Sequence, residues 1–165
     1  MAITDVTELA EVPTERRALG AGIAGITAGA VFGLYLQAGG TMPTIASLVG
    51  SDSLAAGWAV HLLVSVVFAF GFAAAVTGSR LSAFVGSRGG GVVLGTLYGV
   101  LLWVVAGGVA LPLWLGAVGA SAPAIPNLTM ESLAGHALYG LVLGGLYPTI
   151  TRLLTAGWGA FEQPS

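Results

Sequence analysis

Four long apolar stretches constrain the fold of this chain more than any other feature of its sequence. They cover residues 18–37, 54–77, 90–109 and 131–154. Each is long enough to cross a hydrocarbon core about 30 Å thick, which takes roughly 20 residues at 1.5 Å per residue. The chain is 56% hydrophobic and 7% charged, whereas soluble domains are about 25% charged. The sequence therefore predicts an all-α polytopic membrane protein.

The predicted domain organisation is simple. One four-helix transmembrane domain covers residues 18–155, between an acidic tail at 1–17 and a short tail at 156–165. The first residues lack the leading basic region of a cleavable signal peptide, so we expect the acidic tail to stay in the mature chain. The chain contains no cysteine, which leaves neither disulfides nor thiolate ligands to consider.

The basic residues predict the orientation of the chain in a cell membrane. All of them are arginines, and none falls in the loops at 38–53 and 110–130. By the positive-inside rule, both termini and the loop at 79–89 are cytoplasmic, and the two arginine-free loops face outward. The five basic residues are Arg16, Arg17, Arg80, Arg88 and Arg152.

The second half of the chain repeats the first, which predicts two two-helix units over residues 18–78 and 89–155. Each half has glycine at every fourth position, an aromatic residue before the last glycine, a proline and then a histidine. A two-span unit returns the chain to its starting side, so the copies are parallel and related by an axis along the membrane normal. The matched residues are Gly25, Gly29, Phe32, Gly33, Pro43 and His61 with Gly91, Gly95, Tyr98, Gly99, Pro112 and His136.

The glycine rows predict close helix packing, because small residues let helix backbones approach one another in lipid. The two prolines suit the first turn of a short helix, so we expect short helices at 42–49 and 111–118. Such helices would lie at the membrane interface or over the mouth of the bundle. Pro148 predicts a kink or an early end of the fourth span. The expected N-caps of the second and fourth spans are Ser51 or Asp52 and Asn127 or Thr129.

The chain has only two histidines, His61 and His136, at matching positions of the two halves. Each lies about 10 Å below the outer end of its helix, by the 1.5 Å rise per residue. That depth is the outer leaflet of a core about 30 Å thick. An ionisable ring inside a spanning helix costs free energy and marks a candidate functional site. The repeat places the two rings at one depth, facing each other across the bundle.

Counting ligands narrows the chemistry of such a pair. Zinc takes three or four protein ligands, and the spans offer only two histidines and no deep carboxylate. Haem iron takes two axial ligands, which histidines on facing helices can provide. The sequence therefore predicts a haem b electron-transfer subunit with His61 and His136 as metal ligands. Small residues one and two turns after each histidine would accommodate the macrocycle: Ser65, Ala69, Gly140 and Gly144.

One observation weighs against haem, and two other functions stay open. The outward loops carry no arginine or lysine to pair with haem propionates. In a cofactor-free structural or accessory subunit, the histidines would instead bond to Tyr35, Gln37 or Tyr139, and the glycine rows would pack a membrane complex or a homo-oligomer. Alternatively, the site binds or transports a quinone, a lipid or a small solute.

Several other function classes are not expected. No Asp, Glu, Lys or Arg lies deep in a span, which argues against proton-coupled antiport through a membrane carboxylate. No nucleophile has an identifiable base and orienting acid, so we expect no catalytic activity. The net charge of −2 and the lack of a basic cluster exclude nucleic-acid binding. The lipid bilayer is the one partner that the composition requires.

The two histidine-containing runs resemble small haloarchaeal four-helix integral membrane proteins of uncharacterised function. The resemblance extends over most of residues 18–155, and the absence of lysine and the acidic tail fit a salt-adapted archaeal source. It implies the four-helix fold but no active-site residues. The runs that carry it are Gly57-Trp58-Ala59-Val60-His61 through Ser65-Val66-Val67-Phe68, and Gly135-His136-Ala137-Leu138-Tyr139-Gly140 through Gly144-Gly145-Leu146-Tyr147.

Overall fold

The computed structural model describes residue 9 and the ranges 11–77, 81–87 and 89–159, without the side chains of 158 and 159. Throughout these residues the regular structure is helical, with four helices long and apolar enough to cross a membrane. The predicted all-α polytopic fold is confirmed. Arg80, Arg88 and most of both predicted tails lie outside the described residues.

The helices follow one another with short connections. The four spans are α1, α3, α5 with its continuation, and α7. The elements are α1 (Thr14–Ala38), α2 (Met42–Ala46) with a 3-10 turn (Ser47–Val49), α3 (Leu54–Thr77), α4 (Leu81–Gly86), α5 (Gly90–Leu102) continued by a π-helix (Trp103–Ala110), α6 (Leu111–Ala117) and α7 (Met130–Gly159).

The surface of the bundle suits a lipid environment. At most half of the residues in each spanning window are buried inside the protein, although the windows are strongly apolar. Large apolar side chains such as Leu34, Leu63 and Leu97 are exposed on the spanning helices. In water this surface would be costly, whereas lipid tails solvate it and the helices satisfy their own backbone hydrogen bonds.

The third span is longer than predicted. Residues Gly90–Ala117 form one helical run, so the short helix expected at 111–118 is not separate. Pro112 lacks an N–H group, which leaves the carbonyl of Gly108 without its usual helical donor. The backbone N–H of Asn127 replaces that donor, with an N···O distance of 2.9 Å. The π-helix and this loop contact together allow the helix to continue past the proline.

The ends of α3 and α7 correct the predicted cap of α3, confirm that of α7 and exclude the early end considered at Pro148. The N-cap of α3 is Ser53, whose Oγ accepts from the third backbone N–H of the helix, rather than Ser51 or Asp52. The N-cap of α7 is Thr129, as predicted, with a 3.2 Å bond from the N–H of Ser132 to its Oγ1. Pro148 does not end α7, which continues to Gly159.

The glycine rows pack helices closely, as predicted, and the structure shows that they do so in two pairs. The row on α1 faces α3 and the row on α5 faces α7. The second pair is closer, because a Cβ added at Gly95 would collide with the backbone of Gly140, whereas one at Gly25 first meets the Ala69 methyl group. Both pairs share one register: Gly25 with Ala69, Gly29 with Ser65, Gly33 with His61, Gly91 with Gly144, Gly95 with Gly140 and Gly99 with His136.

The two pairs join asymmetrically. α1 and α7 pack extensively against each other, whereas α3 and α5 approach each other much less closely. An exact twofold axis relating the two halves would make these two interfaces alike. The two helix pairs therefore resemble each other internally, but they are not arranged symmetrically around such an axis. Tyr98 on α5 bridges the gap between α3 and α5 about halfway along these helices, where its Oη donates to the carbonyl of Phe68 at 2.9 Å. Beyond this bridge, toward the end where α3 and α7 begin, space remains between the helices.

The short helices cover that end of the bundle, which we call the histidine end. α2 packs on α3, where a Cβ at Gly57 would meet the carbonyl oxygen of Met42 at 2.7 Å. α6 contacts the 3-10 turn that follows α2. Both short segments lie over the mouth of the bundle, which is one of the two positions expected for them. Leu48 and Trp114 accordingly line the space beneath them.

Candidate functional site in the histidine-end cavity

A cavity of about 510 Å³ lies at the histidine end, between α1, α3, the π-helix and α7. This volume is typical of a small-molecule site, for which 300–1,000 Å³ is the usual range. Its walls are mainly apolar, with polar side chains at a few positions. On the spanning helices, the polar residues deepest in it are His61, Ser65, His136 and Tyr139.

The structure brings both predicted histidines to this cavity, with the ring of Phe32 beside each. The phenyl centroid lies 5.2 Å from the imidazole centroid of His61 and 4.9 Å from that of His136, and it meets both rings edge to face. The imidazoles are therefore no farther apart than the sum of these distances. Gly135 makes room for Phe32, since a Cβ at that position would collide with the phenyl ring.

His61 is anchored to the neighbouring helix. Its Nε2 lies 2.9 Å from the carbonyl oxygen of Gly29 on α1. A carbonyl only accepts, so Nε2 carries the proton and Nδ1 of the neutral ring carries a lone pair. Nδ1 has no hydrogen-bond partner within the described ranges. Nδ1 is not fully buried, and His61 as a whole lines the cavity.

His136 is anchored to its own helix instead. Its Nδ1 lies 2.8 Å from the carbonyl oxygen of Ser132, one turn earlier, and 3.3 Å from the Ser132 Oγ. By the same argument Nδ1 carries the proton, and the Nε2 lone pair is unpaired among the residues that the structure describes. Gly107 on the π-helix faces this nitrogen, and a Cβ there would lie 3.5 Å from it. The glycine therefore keeps the space in front of Nε2 open.

Three hydroxyl groups of the cavity wall, on Ser65, Tyr139 and Tyr35, donate to backbone carbonyls. Ser65 Oγ donates to the carbonyl of His61 at 2.8 Å, and Tyr139 Oη donates to the carbonyl of Ser65 at 2.5 Å. Tyr35 donates to the carbonyl of Glu131 at 3.1 Å. Tyr35 and Tyr139 were two of the predicted histidine partners, and both bond elsewhere. The third, Gln37, accepts from Trp58 Nε1 at 2.7 Å.

Of the four small residues predicted to face a cofactor, only Ser65 lines the cavity. Ala69, Gly140 and Gly144 lie in the helix interfaces, covered by the glycine rows of α1 and α5. In this structure their small size serves helix packing, and they do not line the cavity. The sequence alone does not distinguish the two roles, because both require small residues at the same helical spacing.

The described arrangement does not fit a haem held between the two histidines. Such a haem needs one free nitrogen on each face of the macrocycle, yet the Phe32 ring lies against both imidazoles. The Nε2 of His61 is also bonded to Gly29. Only His136 has the arrangement common in metal ligands, with one nitrogen on a carbonyl and the other free. Among the described residues, no three His, Asp or Glu side chains gather into a metal-binding group.

Two features of the site were not predicted. Phe32 was noticed only as the aromatic residue before Gly33 in the repeat, and its contact with both histidines depends on the α1–α7 packing. The π-helix beside the cavity has no sequence signal that we identified, although π-helical turns often occur at functional sites. It supplies Ala106 and Gly107 to the cavity wall.

Comparison with known proteins provides no relative from which a function follows. The chain matches no protein-family model, no curated protein and no solved structure.

Proposed function

We propose that this multi-pass protein resides in the cell membrane and binds a small lipid-soluble molecule in the cavity beside His61 and His136. The arginine distribution supports cytoplasmic termini. That orientation puts the cavity in the outer leaflet. The quinone, lipid or small-solute class considered from the sequence is thus favoured over an accessory subunit without a ligand.

The cavity itself carries the proposal. A helix bundle that only packs has little reason to leave about 510 Å³ open beside the buried ring of His61 and the half-buried ring of His136, since protein interiors are otherwise close-packed. The apolar walls suit a ligand that partitions into lipid. The unpaired nitrogens of His61 and His136 offer the few polar contacts that orient a ligand in such a site.

Filling the cavity tests this proposal. Ala106 lines the cavity, whereas its neighbour Val105 does not and is 53% exposed on the lipid-facing surface. We would purify the protein and its Ala106→Phe and Val105→Phe variants, extract each with organic solvent and identify small molecules by mass spectrometry. We expect one compound in near-stoichiometric amount with the wild type and Val105→Phe, and a loss of at least tenfold with Ala106→Phe. Equal amounts in all three, or none in the wild type, would contradict the proposal.

Haem b electron transfer is the second candidate function, supported by the free Nε2 of His136 and the carbonyl partner on its Nδ1. Haem bound there would supply one-electron redox chemistry. Visible spectra of the purified protein, oxidised and reduced, distinguish it from a colourless ligand. A haem spectrum in the wild type that is absent in His136→Phe but retained in Val105→Phe would favour haem.

A further inference from the structure

We infer that the ligand of the histidine-end cavity is a lipophilic organic cation, such as a quaternary ammonium ion that carries aryl or alkyl groups. This inference depends on the proposed function and goes further by naming the charge and the chemical class of the ligand. It follows from the charged residues at the histidine end and from the aromatic side chains in the cavity wall.

The cavity is lined by one acidic residue and by no basic one. Glu131, in the first turn of α7, is the only Asp, Glu, Lys or Arg in its wall among the described residues. The loops on either side, at 38–53 and 110–130, contain no arginine or lysine. Arg16 and Arg17 begin α1 and Arg152 lies near the end of α7, so these arginines are at the opposite end of the bundle.

The carboxylate of Glu131 has no cationic partner in the part of the chain that the structure describes. Its backbone carbonyl accepts from Tyr35 Oη, but its side chain makes no ion pair there. Glu131 is exposed, so a ligand that arrives from the membrane or from water can reach it. A cationic ligand can therefore pair with this carboxylate without displacing an arginine of the protein.

The N-terminus of α7 lies at the same place, and a helix N-terminus attracts anions. Its dipole corresponds to about half a positive charge, whereas the Glu131 carboxylate carries a full negative charge. Thr129 Oγ1 also accepts from the backbone N–H of Ser132 at 3.2 Å, which occupies one of the free N–H groups. The sum at this end of α7 is negative and favours a cation. The apolar walls strengthen the preference, because low-dielectric walls focus the field of a charge.

Aromatic rings extend from Glu131 into the cavity. The hydroxyl bond of Tyr35 to the Glu131 carbonyl holds that ring beside the acidic residue, and its centroid lies 6.4 Å from that of Phe32. The faces of aromatic rings attract cations, and quaternary ammonium ions are often recognised in this way. The same rings accommodate the apolar groups of such an ion. The aromatic residues with this role in the cavity wall are Phe32, Tyr35, Phe68 and Trp114.

The test compares three probes that share a benzyl group on a tetrahedral end. Benzyltrimethylammonium is a cation, neopentylbenzene is its neutral isostere, and phenylmethanesulfonate is an anion of similar size. Isothermal titration calorimetry measures their binding to the full chain in dodecyl maltoside at pH 8, where histidine is ordinarily neutral, with empty micelles as the blank. We expect the cation to bind at least tenfold more tightly than the anion. This comparison needs no variant, so it does not depend on how substitutions fold.

Two variants then assign the preference to the carboxylate in the cavity. In Glu131→Gln we expect the cation to bind at least fivefold more weakly, with unchanged binding of neopentylbenzene, which reports on the shape of the cavity. Asp52 is exposed in the loop before α3 and does not line the cavity. Asp52→Asn removes the same charge at the same end and should leave binding of the cation unchanged.

Several outcomes would overturn the inference and leave the proposed cavity function intact. They are anion binding as tight as cation binding, cation binding unchanged in Glu131→Gln, an equal loss for the neutral isostere in that variant, and an equal loss of cation binding in Asp52→Asn. Binding of none of the probes would overturn it too. The extraction experiment with Ala106→Phe decides separately whether the cavity binds any ligand.

Discussion

His61 on α3 donates from Nε2 to the carbonyl oxygen of Gly29 on α1, across 2.9 Å. Gly29 belongs to the glycine row through which α1 and α3 pack, and its lack of a side chain lets α3 come close enough for this bond. The same bond fixes the tautomer of His61, because it places the proton on Nε2 and leaves the lone pair on Nδ1. Helix packing and the chemistry of the candidate site thus depend on one residue pair.

Replacement of His61 by Phe should destabilise the bundle by removing this bond. Hydrogen bonds between membrane helices contribute about 0.6–2 kcal/mol, so we expect the free energy of unfolding to fall by that amount. Unfolding by sodium dodecyl sulfate in mixed micelles, followed by circular dichroism, measures it. The control is Leu63→Phe on the same helix, since Leu63 is exposed toward lipid. Equal stability of the two variants would show that the bond contributes nothing.

Two glycine-to-alanine substitutions should have opposite effects. At Gly95 the added methyl group would collide with the carbonyl oxygen of Gly140, so α5 and α7 must separate. At Gly22 nothing lies within 4 Å of the added carbon, and alanine favours the helix by up to about 1 kcal/mol. Thermal unfolding in detergent should show a lower Tm for Gly95→Ala and an unchanged or higher Tm for Gly22→Ala. A tolerated Gly95→Ala would mean that α5 and α7 are less close than described.

Two tyrosines on α7 should respond differently to loss of the hydroxyl group. Tyr139 Oη donates to the carbonyl of Ser65, whereas Tyr147 Oη is buried without a hydrogen-bond partner among the described residues. Tyr139→Phe leaves a buried carbonyl with one bond fewer and should cost about 1 kcal/mol. Tyr147→Phe removes an unpaired buried polar atom and should be neutral or stabilising. Denaturant titration of both variants makes the comparison, and the reverse order would refute it.

The absence of native cysteine allows a direct test of orientation. Ser121, in the loop before α7, and Ser87, in the loop before α5, are both exposed. In intact cells, a membrane-impermeant maleimide should label Ser121→Cys and not Ser87→Cys. Permeabilised cells should give labelling of both, which controls for reactivity. The opposite pattern would place the termini outside.

The sequence predicts the spans and the close packing of the glycine rows because hydrophobicity and small-residue spacing are local properties of each helix. The register of Gly29 with Ser65 and of Gly95 with Gly140 is a property of two helices together, so no pattern within one helix predicts it. The contact of Phe32 with His136 was not predictable, because it depends on how α1 meets α7.

The length of the third span was also not predictable from the pattern of a single segment. Pro112 indicates a helix start, and a separate short helix is the ordinary reading of such a proline. One helix continues through that position with the π-helix before it and with the loop contact between Asn127 and Gly108. That contact joins residues distant in sequence, so a pattern within one segment does not reveal it.

The π-helix at Trp103–Ala110 also determines the direction in which the side chains of α6 point, because α6 follows it without a break. Successive residues of an α-helix are about 100° apart around the axis, by 3.6 residues per turn. A π-helical turn holds more residues than an α-helical turn, because its hydrogen bonds join residues five apart. If the same eight residues were wound as an α-helix, α6 would therefore be rotated about the helix axis. Leu111 and Trp114, which now face the cavity, would point elsewhere. The π-helix therefore changes the rotation between α5 and α6. With this rotation, α6 presents Leu111 and Trp114 to the cavity while the glycines of α5 stay packed against α7.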